Sequence, residues 1–325
     1  MIILRWKGMG LSFLFLFILL FDAWPASGQA YPTRAIKLIV PFVAGGVNTV
    51  VWRSMADPMS KVLGQPVVIE NKPGAAGTLA YTLMAKAEPD GYTTGSAPVN
   101  GITNTFLAYE VSYDPFKSFT YIGEIWAYNE VLAVRSDSPW KTWAEFMGYV
   151  KQHPEEVKVG YSNPIGSAVV SMKFVAKKNE MKLKEVVFVG EAELVPALLG
   201  GHIDAFIGAG VVHTLIKDGR ARGLLAITVE PIPGHPDIPN VYDLYGINAF
   251  NICGLAGPAR MPEPIVRKLE NALAEGIKSP LYLNTIEKMG AVVRWRNSRE
   301  FTQDVKTIFD TQRYIMGEIG MLRKK

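Results

Sequence analysis

Short apolar, β-branched runs alternate along this chain with longer stretches whose apolar residues recur at helical spacing, the pattern of parallel sheets covered by helices. The fold class is α/β. Strands are expected over residues 37–42, 66–70, 93–97, 119–125, 131–135, 157–161, 185–189, 205–208, 224–229, 252–257 and 291–296. Helices are expected over 50–63, 78–86, 143–153, 167–179, 194–199, 264–278 and 299–319, each amphipathic enough to lie on a sheet face. At 325 residues the chain exceeds the usual single domain, so it should divide into two lobes. Two breaks suit the crossings between lobes: residues 124–129, where a strand runs out of the first half, and the polar, proline-broken stretch 234–240.

Residues 1–30 read as a signal peptide. Arg5 and Lys7 precede an apolar run from Leu11 to Phe21, and small residues follow at Ala26, Ser27, Gly28 and Ala30. That run falls well short of the roughly 20 residues a membrane-spanning helix needs, which disfavours a permanent anchor. Cleavage is expected before Tyr31, leaving a soluble, exported protein. Removing Arg5, Lys7 and Asp22 takes the net charge from +4 to +3, and the densest basic cluster is the tail Arg323-Lys324-Lys325, so nucleic acid is not an expected partner. Cys253 is the single cysteine and cannot form an internal disulfide; its apolar setting marks a buried structural thiol.

Enzyme signatures are missing. His153, His202, His213 and His235 have no metal-ligand spacing, and His202 with Asp204 reads as a turn between helix and strand. Ser96 and Ser162 lie near glycines, but no GxSxG elbow occurs and no base is placed beside either. Gly208 and Gly210 follow a strand, yet His213 stands where a dinucleotide fingerprint needs its third glycine. No cofactor or metal is expected. Trp52, Trp126 and Trp143 are candidates for a cleft wall, although aromatics at helical spacing more often fill a core.

Two glycine-rich strand-to-helix turns remain. The first, residues 41–49, carries Gly45, Gly46, Asn48 and Thr49; the second, residues 160–167, carries Ser162, Asn163, Gly166 and Ser167. Glycines turn the backbone tightly and leave N–H groups unshielded at a helix end of partial positive charge, so each turn can cradle an anion. Asn48 or Thr49 could instead simply cap its helix. Two such ends, one per lobe, facing one cleft would grip a carboxylate through backbone and hydroxyl donors.

Ordered strings along the mature chain resemble the extracytoplasmic solute receptors of tripartite tricarboxylate transporters, the Bug receptors. They are Tyr31-Pro32-Thr33-Arg34, Val40-Pro41-Phe42 with Ala44-Gly45-Gly46, Glu70-Asn71-Lys72-Pro73-Gly74-Ala75-Ala76-Gly77 and Pro89-Asp90-Gly91-Tyr92-Thr93. Tyr113-Asp114-Pro115, Leu198-Leu199-Gly200-Gly201-His202-Ile203-Asp204 and Gly254-Leu255-Ala256-Gly257-Pro258-Ala259 follow. The resemblance implies a periplasmic binding protein-like fold, two α/β lobes around a ligand cleft joined by crossing strands. Residues 31–126 would begin lobe 1, 127–250 form lobe 2 and 251–325 return to lobe 1.

It also implies a ligand carboxylate between the two turns, held by Gly45, Gly46, Asn48 and Thr49 on one side and Ser162, Asn163, Gly166 and Ser167 on the other, with Ser96 lining the cleft. The implied function is non-enzymatic: a periplasmic receptor captures a small organic acid by lobe closure and delivers it to the membrane components of a tripartite tricarboxylate-type transporter. An exported hydrolase and a sensor-coupled receptor on the same fold are the alternatives. The sequence departs from the family pattern at Thr49 and Ala197, where an Asp is usual, and at Val189 and Glu191 around Gly190. Glu191 is expected to face solvent, since a buried acid beside an anionic ligand would be costly.

Overall fold

The apolar runs become strands where predicted, and their neighbours in sequence become the helices that cover them. In the computed structural model, which describes residues 31–188 and 190–324, β1 (Ile36–Val40) pairs in parallel with β2 (Val67–Asn71) and β3 (Thr93–Pro98). The leader, its cleavage site and Val189 lie outside the described residues. Helix α1 (Val47–Leu63) connects β1 to β2, and a 3₁₀ turn at Ala75–Gly77 leads into α2 (Thr78–Ala85). After α3 (Val99–Ala108) the long β4 (Phe119–Tyr128) ends, and Asn129 alone separates it from β5 (Glu130–Arg135) in a second sheet.

That second sheet also holds β6 (Lys158–Tyr161), β7 (Lys184–Val187), β8 (Ala205–Gly208) and β9 (Ala221–Ile227), in the order β7-β6-β8-β5-β9. Its helices are α4 (Trp143–Gln152), α5 (Ser167–Lys178), α6 (Glu191–Leu199), α7 (Gly210–Lys217) and α8 (Val241–Tyr245). The chain then returns as β10 (Asn251–Pro258), α9 (Glu263–Gly276), α10 (Pro280–Lys288), β11 (Ala291–Asn297) and α11 (Ser298–Glu318). The first sheet is thereby completed in the order β11-β4-β10-β3-β1-β2.

The second crossing differs from the one expected at 234–240. That stretch stays on the second lobe, where Ala226 N donates to Pro239 O at 2.8 Å and Ile238 is buried, so the chain leaves only just before Asn251. Helix α3 was not legible as one, because its Asn- and Thr-rich sequence has poor intrinsic propensity. Tertiary burial overrides that: Asn100, Thr103, Asn104 and Thr105 are all buried.

All three tryptophans proposed for a cleft wall are core residues. Trp52 and Trp126 meet edge to face at 5.6 Å in the first lobe, and Trp143 stacks on Phe146 at 5.8 Å in the second. Helix α11 belongs to both cores, with Phe301, Val305 and Ile308 in the first lobe and Ile315 and Met316 in the second. Its start is fixed by a capping box between Asn297 and Glu300.

The first sheet buries one acid. Glu124 is ion-paired with Arg294, which reaches Asp304 at 2.9 Å and lies 4.5 Å from the Phe250 ring centroid. Burial pushes the Glu124 carboxyl up to about 8, with the Arg294 contact pulling the other way. The folded state therefore holds a proton that the unfolded chain releases above the ordinary carboxylate range, and this group's stabilisation is lost as pH rises towards 8. Against a Glu124→Gln variant, the wild type should lose stability between about pH 5 and 8 in urea titrations; parallel profiles would refute the assignment.

Close packing gives a second test. A methyl on Gly254 would lie 2.7 Å from the Phe301 ring and 2.8 Å from the Glu124 backbone, whereas Gly148 within α4 has nothing within 4 Å. Gly254→Ala should lower unfolding free energy by at least about 2 kcal/mol. Gly148→Ala should raise it by about 0.5–1 kcal/mol.

Candidate functional site

Register places the carboxyl ends of the parallel strands beside the crossings. In lobe 1, Pro98 at the end of β3 pairs with Cys253, and Asn251 at the start of β10 pairs with Tyr128 at the end of β4. In lobe 2, Gly208 at the end of β8 pairs with Val131 at the start of β5. Ligands of open α/β sheets bind outside the carboxyl ends of the strands, at such a topological switch. Helices α1, α2, α3, α5, α6 and α7, which follow β1, β2, β3, β6, β7 and β8, begin at this edge, and none has a side-chain cap.

The loops before α1 and α5 are built alike. Gly46 N donates to Val43 O at 3.3 Å and Gly46 O accepts from Val50 N at 3.0 Å; Gly166 N donates to Asn163 O at 3.0 Å and Gly166 O accepts from Val170 N at 2.9 Å. Gly46 (φ −66°, ψ 156°) and Gly166 (φ −60°, ψ 149°) occupy the N-caps, and neither helix has an acid in its first turn. Gly45, at φ +90°, supplies the left-handed turn that a side chain would strain. Each loop thus ends in a helix terminus whose orphan N–H groups and partial charge suit an anion.

The match to known proteins follows the same lines. A model described as "Tripartite tricarboxylate transporter family receptor" matches residues 51–321. The chain belongs to this receptor family. The "UPF0065 protein in gbd 5'region" of Cupriavidus necator is 30% identical over 306 residues, covering 93% of both chains. BugT of Bordetella pertussis is 28% identical, covering 68% of this chain and 69% of BugT. Among solved structures, the periplasmic binding protein BugD superposes with a TM-score of 0.77 at 26% identity, covering 90% of this chain and all of BugD. MatC of Rhodopseudomonas palustris with bound malate gives 0.75 at 28% identity, covering 88% of this chain and 99% of MatC. The two-lobed periplasmic binding fold is therefore the receptor's fold.

Several of the receptor's expected site side chains are turned inward. Asn48 and Thr49 do not cap α1. Thr49 Oγ1 donates to Val43 O at 3.0 Å and accepts from Asn71 Nδ2 at 2.8 Å, so it fastens the first loop to the end of β2. Asn48 is buried with Ser96 and Cys253: Ser96 Oγ donates to Asn48 Oδ1 at 2.8 Å, and Asn48 Nδ2 approaches Cys253 Sγ at 3.4 Å. Among the described residues the Ser96 hydroxyl is bonded to Asn48 and Cys253 rather than to a histidine. In lobe 2, Asn163 Oδ1 accepts from Ile165 N at 3.1 Å, while half-buried Ser162 has no hydrogen-bond partner among the described residues. Ala197 packs in the lobe-2 core beside Leu194 and Ile203; the Glu191 side chain lies outside the described residues.

A residue the sequence did not mark joins the two lobes. Glu130 Oε2 accepts from Ser167 Oγ at 3.2 Å and from Asn251 Nδ2 at 3.0 Å, linking α5 to the return strand. Asn251 Oδ1 lies 3.4 Å from Asn100 Nδ2, which also donates to Phe250 O at 2.7 Å. Asn104 Nδ2 crosses to Ile165 O at 2.8 Å, and His213 Nε2 donates to Asn129 O at 2.6 Å. A lone acid at the head of the apolar strand 130–134 reads as an ordinary strand boundary, which is why only the fold exposes it.

Burial pushes the Cys253 thiol up to about 12, with bonds from Ser96 and Asn48 opposing. In the native receptor this thiol should not react with a disulfide reagent at pH 8, and one equivalent should react after unfolding in urea; fast native reaction would remove Cys253 from the core.

Proposed function

We propose that this chain is exported to the periplasm by residues 1–30, cleaved before Tyr31, and there closes its lobes around a small carboxylate-bearing solute for delivery to the membrane components of a tripartite tricarboxylate-type transporter. The carrying observation is the pair of like-built, uncapped helix termini, Gly45 to Thr49 in lobe 1 and Ser162 to Ser167 in lobe 2, at the edges beside the crossings. The malate held by the related MatC supports the same ligand chemistry.

Within this reading Gly45 and Gly46 present backbone N–H groups, and Asn48, Thr49 and Ser96 keep that loop in shape rather than touch the solute. Gly166 leaves the α5 terminus open, Asn163 shapes its turn, Ser162 donates directly and Ser167 positions Glu130. Closure turns about Asn129 and the segment before Asn251, and the solute favours the closed form because only there do both termini reach it.

A thermal-shift screen of the purified protein against mono-, di- and tricarboxylates, amino acids and neutral or cationic controls tests the reading. A ligand at 100 times its Kd should add roughly 2.7 kcal/mol. Ser162→Ala should weaken that ligand by about tenfold in calorimetry and leave the ligand-free unfolding midpoint unchanged. Stabilisation only by neutral or cationic solutes defeats the carboxylate assignment, and unchanged affinity removes Ser162 from the site.

A further inference from the structure

Beside α5 the second lobe keeps a cavity of about 540 Å³ that is separate from the loops of the cleft. It lies between α5, the sheet face formed by β6, β7 and β8, and the segment that follows α11. Strand β7 is the edge of its sheet, and α5 leaves this side of it uncovered, with Glu185 and Val187 exposed. The lining includes none of residues 162–167, and the exposed residues Glu155, Lys177 and Lys182 stand at its mouth, so a solute can enter from the flank of the lobe.

The walls are apolar. Val159 and Ile207 come from the strands, Met172 and Ala176 from α5, Met181 from the loop before β7 and Met321 from beyond α11. Three methionines make a wall that adapts to the shape of what it touches. The polar groups inside already satisfy one another: the buried Tyr161 hydroxyl donates to Glu185, which also accepts from Lys173 at 2.7 Å. The body of an occupant therefore meets hydrocarbon and thioether surface.

The rim decides the sign of the occupant's charge. Three lysines and two glutamates line the cavity, and Lys173 is paired with Glu185. Lys177 directs one of its three donors to Glu318 O, and the Lys182 ammonium has no partner among the described residues. A surplus of one positive charge thus stands at the mouth of an apolar chamber whose volume is that of a small-molecule site.

We propose that this cavity is a second ligand site of the receptor, which takes a lipophilic monocarboxylate with its acyl chain or ring inside and its acid group between Lys177 and Lys182. A dicarboxylate would have to bury its far charge against apolar walls without a partner. A short acid would leave most of that wall wet.

The test is methyl NMR of the full chain, expressed with its own N-terminal segment and isotope-labelled at the methionine methyl groups. Octanoate should shift the methyls of Met172, Met181 and Met321 saturably and leave those of Met55 and Met59, in the lobe-1 core, in place. Butyrate and octanedioate should bind at least about tenfold more weakly than octanoate. Lys177→Gln combined with Lys182→Gln, both on exposed side chains, should weaken octanoate about fivefold, while octanol, the neutral analogue, should bind wild type and variant equally.

Shifts at Met172 without Met181 and Met321 would put the acid elsewhere, and shifts at every methionine would mean adsorption without a site; either overturns the proposal. So does the lack of any shift, octanedioate binding as tightly as octanoate, or undiminished octanoate binding in the double variant. Each of these outcomes leaves the carboxylate reading of the cleft standing.

Discussion

The antiparallel pairing of β4 with β10 is the constraint on which the remaining architecture depends. Because Tyr128 stands opposite Asn251, the chain leaves the first sheet and re-enters it at adjacent positions, and the two lobes are joined by a narrow double crossing. The right-handed βα crossovers then require the parallel strands of each lobe to end at one common edge. Register sets that edge against the crossings in both sheets. A cleft lined by helix N-termini is the geometric consequence, and it needs no dedicated binding domain.

Capping follows the same division in most helices, α8, capped by Asn240, and α9, which starts at Pro262 without a side-chain cap, being the exceptions. Helices α4, α10 and α11 begin away from the crossings, and each is closed by a side chain, from Thr142, Ser279 and Asn297. The six helices that follow the parallel strands at the crossings have none. A side-chain cap is worth about 1 kcal/mol, so leaving six termini open gives up stability at the one edge where the orphan N–H groups can meet a visitor. Polar side chains at that edge are spent on shaping loops instead, as Thr49 and Asn163 illustrate. The Thr in place of the family's usual Asp fits this role, since its hydroxyl both donates to Val43 O and accepts from Asn71.

Much of this was legible in the sequence because periodicity and glycine placement act locally. The strands, the longer helices and both glycine turns needed no tertiary knowledge, and Gly46 and Gly166 sit at the two N-caps that those turns implied. What escaped depends on contacts distant in the chain. Asn48 looked like a cap, but it is drawn to Ser96 and Cys253, 48 and 205 residues away. Helix α3 has the composition of a loop and is held by distant contacts of Asn100 and Asn104, while Thr103 and Thr105 bond back to carbonyls of the helix itself. Glu130 carried no motif, and its meaning comes only from Ser167 and Asn251 being brought to it.

Helix α11 limits how the lobes can move. Its first half is embedded in the lobe-1 core through Phe301, Val305 and Ile308, and its last turns in the lobe-2 core through Ile315 and Met316. Pulling the lobes straight apart would expose one set or the other, and each large apolar side chain returned to water costs about 2 kcal/mol. Rotation about a line through α11 and the double crossing leaves both sets buried. The free edge of the cleft, where Phe42 and Val43 stand exposed on one lobe and Val187 on the other, is then the part that travels furthest. Glu130 and Asn100, beside the pivot, hardly move. In the proposed closure the loops before α1 and α5 would therefore travel while the double crossing turns in place.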